Sequence, residues 1–358
     1  MRPLNTKGRG AVSNLSGRFE ATQAVGFDDG WDIEEDTPRL KTEVSLDHSR
    51  SIISKVSSPD MPFDRSINPY RGCEHGCIYC FARPTHAYLG MSPGLDFETR
   101  LVMKPNAPAL LRKTLSSPRY QPRSIAIGTN TDPYQPIEKK HQIMRGILEV
   151  LEEFSHPVTI VTKSALITRD ADILGRMGRR GLARVALSLT TLDTKLSQQM
   201  EPRAATPSRR LWALRQLREA GCPTGVMIAP VIPAINDHEI ESLLRAAAAS
   251  GAATANYIVL RLPLEVRDLF VEWLDAHFPD RAARVMRYVR ELHGGRDYDP
   301  QWGKRLKGEG VYADLIRRRF TRAAAEERLE RDQPALRLDL FRRPEPETGQ
   351  GSFMDMFD

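Results

Sequence analysis

"SINPYRGCEHGCIYCFARPTHAYLG", residues 66–90, puts Cys73, Cys77 and Cys80 within eight positions of a 358-residue chain that holds four cysteines in all. A chain so sparing of cysteine concentrates three of them where metal or redox chemistry needs thiols together. Structural zinc takes four ligands, commonly as two Cys/His pairs. Cys77 and Cys80 have the spacing of one pair, and Cys73 with His75 or His86 would have to supply the other. A cubane iron–sulfur cluster takes four cysteines. Three leave one iron open to a chelating ligand. The fourth cysteine, Cys222, stands just before an apolar run and reads as a small buried thiol.

Composition narrows the setting. The sequence is 41% apolar, enough for a sizeable core in one large domain or two modest ones. Its first residues, MRPLNTKGRG, lack an apolar signal-peptide core. The longest apolar run, "PTGVMIAPVIPAI" (223–235), is broken by prolines and falls short of a membrane span. The expected location is the cytoplasm, where thiols stay reduced and a cysteine cluster favours metal over disulfide. Net charge is +6, and residues 281–330 alone hold 13 Lys/Arg against 8 Asp/Glu. Such a segment suits either nucleic acid or an Arg-rich helix surface laced with ion pairs.

A beat repeats through the middle of the chain. Apolar, β-rich runs fall at "SIAIGTNT" (124–131), "PVTIVTKS" (157–164), "ARVALSLTT" (183–191), "PTGVMIAPVI" (223–232) and "ATANYIVLRL" (253–262). Helix-period stretches separate them, among them "IEKKHQIMRGILEVLEEF" (137–154) and "TPSRRLWALRQLREAG" (206–221). The latter opens on Thr206-Pro207 and stops at Gly221. Continuous apolar strands alternating with helices predict a parallel sheet with right-handed crossovers. A first strand at "RSINPY" makes six units. The predicted fold is α/β, a partial (βα)6 TIM-type barrel with extended N- and C-terminal segments. Four parts are expected: an extended or disordered arm (1–45), the core barrel (46–280), a basic helical extension (281–330) and a flexible tail (331–358). Chemistry in such barrels sits at the C-terminal strand ends. Thr129 to Asp132, Thr162 to Ser164, Ser188, Thr190 and Thr191 make those ends polar.

The C-x3-C-x2-C loop after the first strand, with Tyr79 before its last cysteine, resembles the signature of the radical SAM superfamily, whose core is a six-unit partial barrel. The resemblance implies that Cys73, Cys77 and Cys80 hold a [4Fe–4S] cluster. It implies that S-adenosylmethionine chelates the fourth iron and is cleaved by one electron to a 5′-deoxyadenosyl radical. An electron donor such as flavodoxin or ferredoxin is then required. "GTNTDPYQPIE" (128–138), "VTKSALITRD" (161–170) and "EPRAATPSRRL" (201–211) resemble the bacterial branch that includes spore photoproduct lyase. By that resemblance Tyr79 packs near the adenine, Thr131 and Asp132 hold the methionine part, Lys163 approaches its carboxylate, and Ser188 approaches the ribose or carboxylate. Where the lyase carries a hydrogen-donor cysteine this chain has Thr129, so the lyase's own route is not expected. The substrate is expected to be nucleic acid, or else a peptide or small metabolite. A non-enzymatic iron–sulfur or zinc protein binding DNA or a partner is the alternative from another class.

Glu201 and Arg203, after the fourth strand, read either as substrate- or ribose-orienting groups or as a surface ion pair. His75, His86 and Tyr88 flank the cysteine loop as packing or supporting groups. In the tail, "LRLDLF" (336–341) resembles the short peptide by which bacterial repair proteins bind the DNA sliding clamp, through Leu338, Leu340 and Phe341. The competing expectation is that these side chains cover the edge of the barrel.

Overall fold

The computed structural model describes residues 8–20, 40–331 and 334–344. Parts of the expected arm and tail, 1–7, 21–39, 332–333 and 345–358, lie outside them. The described residues form ten strands: β1 (Glu43–Leu46), β2 (Ile53–Lys55), β3 (Arg65–Ile67), β4 (Tyr70–Arg71), β5 (Arg100–Met103), β6 (Ile125–Ile127), β7 (Val158–Thr162), β8 (Ala183–Ser188), β9 (Thr224–Val231) and β10 (Thr254–Val259). The main sheet runs β10-β9-β8-β7-β6-β3-β2. All its pairings are parallel except β2 with β3. The six parallel strands are the six expected units.

The sheet is an open barrel with β10 and β2 as its edge strands. One face of each strand is buried against helices: Val158 and Ile160, Val185 and Leu187, Val226 and Ile228 all join the main apolar core. The intervening residues Thr159, Val161, Arg184, Ala186 and Met227 are only half-buried, as the concave face of an unfilled barrel requires. Between the two edges, side chains span the gap. Asp60, in the loop after β2, accepts from Gly303 N and Arg305 Nε, each at 2.6 Å. The segment carrying Arg305 is tied to β10 where Val259 N donates to Leu306 O.

Three sequence expectations need correction. "RSINPY" is not one strand. Only Arg65–Ile67 joins the barrel, while Tyr70–Arg71 pairs with β5 in a separate three-stranded sheet, β1-β5-β4. The stretch 137–154 is two helices, Glu138–His141 and Ile143–Glu153, broken at Gln142 with φ of +51°. The buried Glu138 carboxylate accepts from Ile143 N and Met144 N and so starts the second helix. By contrast, the helix Pro207–Glu219 begins on its proline and is followed by Gly221 at φ +91°, as the sequence reads. The third correction is in the tail read as flexible, whose described residues are docked.

That segment crosses the N-terminal ends of the strands. Ala255 N donates to Glu330 O, Arg184 Nη2 to Pro334 O at 2.5 Å, Arg337 N to Gly181 O and Arg342 N to Phe154 O. Leu340 and Phe341 pack on the core, with Phe341 meeting Tyr120, Phe154 and His156. Leu338 is exposed. Docking on a clamp would require Leu340 and Phe341 to leave these contacts.

His156 beneath Phe341 gives a testable pH dependence. Its Nε2 lies 2.8 Å from Tyr120 Oη and its Nδ1 3.0 Å from Pro157 O, partners that a neutral ring satisfies. Burial lowers its pKa from 6.5 to about 4. Between these values the unfolded chain binds a proton that the folded chain refuses, so stability falls as pH drops through that window. The loss attributable to His156 should approach roughly 3 kcal/mol by pH 4. Urea unfolding of wild type and His156→Gln at pH 7 and pH 4.5 checks it. An identical pH slope in both proteins contradicts the assignment.

Candidate functional site

The cysteine loop follows β3 and is pinned from several sides. Cys73 N donates to Phe97 O, Glu74 N to Gln135 Oε1 and Ile78 N to Met200 O. The buried Arg83 guanidinium donates to Cys77 O and Gly76 O. Arg83 is neutralised by the equally buried Glu98 at 2.5 Å. Glu98 also accepts from Gly10 N and Ala11 N, both at 2.9 Å, so the N-terminal segment straps the loop. A Cβ on Gly10 would lie 1.8 Å from Gly76 O. Only glycine allows that approach.

All four cysteines are free thiols. Cys73 and Cys77 are buried and Cys80 is the more accessible member of the triplet. Burial pushes the Cys77 thiol up to about 12 and Cys73 well above its usual range. Bare thiolates are therefore costly here, and a cationic metal centre would relieve that cost. Cys222 lies apart, fully buried at the start of β9.

The polar strand ends gather at the same mouth. Lys163 Nζ stands 5.7 Å from the Tyr79 ring centroid. The Tyr79 hydroxyl donates to Glu201, which also accepts from Thr190 Oγ1 at 2.9 Å and pairs with Arg210. Arg210 in turn donates to Ser188 O at 3.0 Å. Burial acts to raise the Glu201 carboxyl, but Arg210 and Lys163 beside it leave its pKa below the ordinary value. For Glu201 the surface-pair reading fails. It is 1% exposed, and its partner is Arg210, while Arg203 pairs with Glu74 at 3.0 Å. Spacing could not choose between the two arginines, because the choice depends on how the 201–206 turn enters its helix.

Thr131 and Asp132 brace the mouth through internal bonds. Thr131 Oγ1 donates to Tyr70 O. Asp132 accepts from Tyr134 N, Thr162 Oγ1 and Lys163 N, with His75 Nδ1 3.4 Å away. Burial opposes the Asp132 charge, yet His75 and these donors hold its pKa down to about 2. Ser188 is buried at the end of β8. Among the described residues, neither ring nitrogen of the buried His86 has a hydrogen-bond partner of ordinary geometry, whereas Tyr88 is exposed and meets Phe19. Arg261, which the sequence reading did not single out, lies beside Phe81. Only its place just past an apolar strand could have drawn attention.

An open parallel barrel with reduced cysteines and convergent polar groups at its strand ends is the layout of an α/β-barrel enzyme. Residues 67–247 match the radical SAM superfamily domain, and the chain belongs to that superfamily. It is an enzyme of that class. An uncharacterised protein of Mycobacterium tuberculosis is 36% identical over 286 residues, covering 79% of this chain and 80% of the relative. An uncharacterised protein of Methanocaldococcus jannaschii is 29% identical over 173 residues, covering 48% of this chain and 62% of the relative. A solved spore photoproduct lyase, complexed with dinucleoside spore photoproduct, superposes with a TM-score of 0.54 at 16% identity over 79% of this chain and 78% of that one. A doubly substituted form of that lyase, with bound AdoMet and dinucleoside spore photoproduct, gives 0.53 at 15% identity with the same coverage. These likenesses show a shared fold.

Membership implies an iron–sulfur cluster and S-adenosylmethionine, and the residues present fit them. Three thiols on one pinned loop would serve as cluster ligands, and the Lys163 ammonium would offer a cation to a carboxylate. Among the described residues, no three His, Cys, Asp or Glu side chains are grouped to hold a single metal ion. Thiolates around a cluster bind different irons and need not converge on one point. No described helix is long and apolar enough to cross a membrane.

Proposed function

We propose that Cys73, Cys77 and Cys80 carry a [4Fe–4S] cluster and that Lys163, Tyr79 and Ser188 hold S-adenosylmethionine against it, for hydrogen abstraction from an organic substrate. The observation that supports this best is the pinned triplet of reduced thiols beside the Lys163 ammonium. When bound, the cluster and cofactor supply one-electron cleavage of the sulfonium and a carbon radical that takes hydrogen from the substrate.

The protein's own residues bind, orient and exclude water. Lys163 pairs with the cofactor carboxylate, and Ser188 meets the ribose or carboxylate. Tyr79, fixed through Glu201 and Arg210, keeps its ring beside Lys163. Thr131 and Asp132 hold the ends of β6 and β7 and so place the groups that meet the methionine part of the cofactor. Ile78, Leu260 and Leu262 form an apolar wall behind the loop and limit water at the reacting centre. A flavodoxin or ferredoxin is the electron donor in this reading.

Nucleic acid is the substrate class we favour. Arg281, Arg284 and Arg287 on the helix Pro279–Leu292 are exposed. The latter two flank Tyr288, which stacks on Tyr312 at 4.7 Å. Cations with aromatic faces suit a nucleic-acid strand.

Anaerobic reconstitution with iron and sulfide, followed by reduction with S-adenosylmethionine, should yield 5′-deoxyadenosine. Deuterium carried into it from labelled nucleic acid would identify the substrate class, and its absence with every labelled pool would remove the nucleic-acid reading. Lys163→Ala should keep the cluster but bind S-adenosylmethionine about tenfold or more weakly, since a charge-assisted hydrogen bond contributes roughly 1.5–3 kcal/mol. Unchanged affinity by titration would assign Lys163 another task.

A further inference from the structure

We infer that Arg261 is an anchor for an oxyanion of the substrate, phosphate or carboxylate, at the mouth beside the last cysteine of the triplet. This rests on the radical SAM reading of that mouth.

Arg261 lies two residues beyond β10, between Leu260 and Leu262. Both leucines are 1% exposed and pack in the apolar cluster with Ile78 and Tyr79. The Arg261 side chain instead places its guanidinium carbon 4.2 Å from the ring centroid of Phe81, the residue after Cys80. It is only partly accessible. Among the described residues it forms no ion pair and donates no hydrogen bond that meets ordinary geometry.

The other sequestered arginines behave differently. Arg83 donates to Glu98, Arg210 to Glu201, Arg169 to Glu138 and Asp170, and Arg184 to Pro334 O. The nearby carboxylate of Asp60 is engaged by Arg305 and Gly303 N. Burial pulls the Arg261 pKa below its usual value, and Arg305 adds to that pull while Tyr298 opposes it. A guanidinium in this position keeps donors unused and is partly desolvated, with Cys80 and Asp60 favouring its charge only through space, and both features carry a cost. An oxyanion relieves both costs through a bidentate contact. Phe81, 41% exposed, lies against the guanidinium, and the Arg261 side chain remains partly accessible to a ligand.

The experiment is calorimetric titration of reconstituted full-length protein with two probes, a dinucleoside monophosphate and N-acetylglutamate amide. Wild type, Arg261→Gln and Arg261→Lys are compared, each first checked for an unchanged melting temperature. Saturable binding of one probe to wild type, weakened roughly tenfold or more in Arg261→Gln and partly kept in Arg261→Lys, supports the anchor. The probe that binds tells phosphate from carboxylate. Equal affinity in wild type and Arg261→Gln overturns it, as does no saturable binding of either probe to wild type at about 10 mM. A shift of the cluster's midpoint potential in Arg261→Gln with unchanged probe affinity also overturns it, assigning Arg261 to cluster charge alone. Cofactor cleavage by wild type, measured on the same preparation, tests the radical reading separately.

Discussion

Cys77→Ala protein, reconstituted anaerobically with iron and sulfide, is expected to lose its full iron content and the broad visible absorption of the cluster. Cys73→Ala and Cys80→Ala should do the same, and Cys222→Ala should load normally. Cys77 sits on a loop fixed by Arg83 and by Ile78 N, so no neighbouring side chain can swing in to replace it. Its thiol, pushed to about 12 by burial, becomes a thiolate only where a metal stabilises it. Burial likewise raises Cys222 to about 12, but its Sγ faces only the carbonyl of Pro223, 3.7 Å away. Iron and sulfide counting on the four variants decides the matter. Full loading in Cys77→Ala, or cluster loss in Cys222→Ala, would falsify the assignment.

The barrel was legible because most of its strands are largely apolar runs alternating with helix-period stretches, the pattern of parallel strands joined by crossovers. The cysteine spacing was legible because cluster ligands must share a loop. The three-stranded sheet was not. Its strands β1, β4 and β5 have four, two and four residues, too few for periodicity to appear. The break at Gln142 was hidden because the helical period continues on both sides of it. What sets it is a tertiary fact, the Glu138 carboxylate buried between the Tyr70 hydroxyl and Arg169. The polar network of the mouth was half legible. Residue types at strand ends marked Lys163 and Ser188. That Asp132 braces β7, and that Glu201 takes Arg210, depend on distances which spacing does not encode.

The N-terminal strap is the largest feature that composition conceals. Arg9, Gly10 and Ala11 read as part of a polar arm, yet they are buried against the cysteine loop through Glu98, almost ninety residues on. Glu98→Ala should therefore be severely destabilising. It strips Arg83 of the carboxylate it pairs with and leaves two buried N–H groups without an acceptor. Breaking a buried pair from one side typically costs about 3–5 kcal/mol. Arg83 would retain carbonyl partners at Cys77, Pro93 and Gly94, which satisfy its donors but not its charge. The double variant Arg83→Met/Glu98→Leu removes the stranded charge and should recover part of the loss. It should not recover all of it, because Gly10 N and Ala11 N still lack an acceptor, and each such group costs roughly 1–3 kcal/mol. Urea unfolding of the cluster-free protein measures the total. Hydrogen exchange at the Gly10 and Ala11 amides reports the strap directly, and both should exchange faster in the single and double variants alike. A loss below about 1 kcal/mol in Glu98→Ala, with those amides still protected, would mean that the strap is held by Arg9 and its own contacts instead.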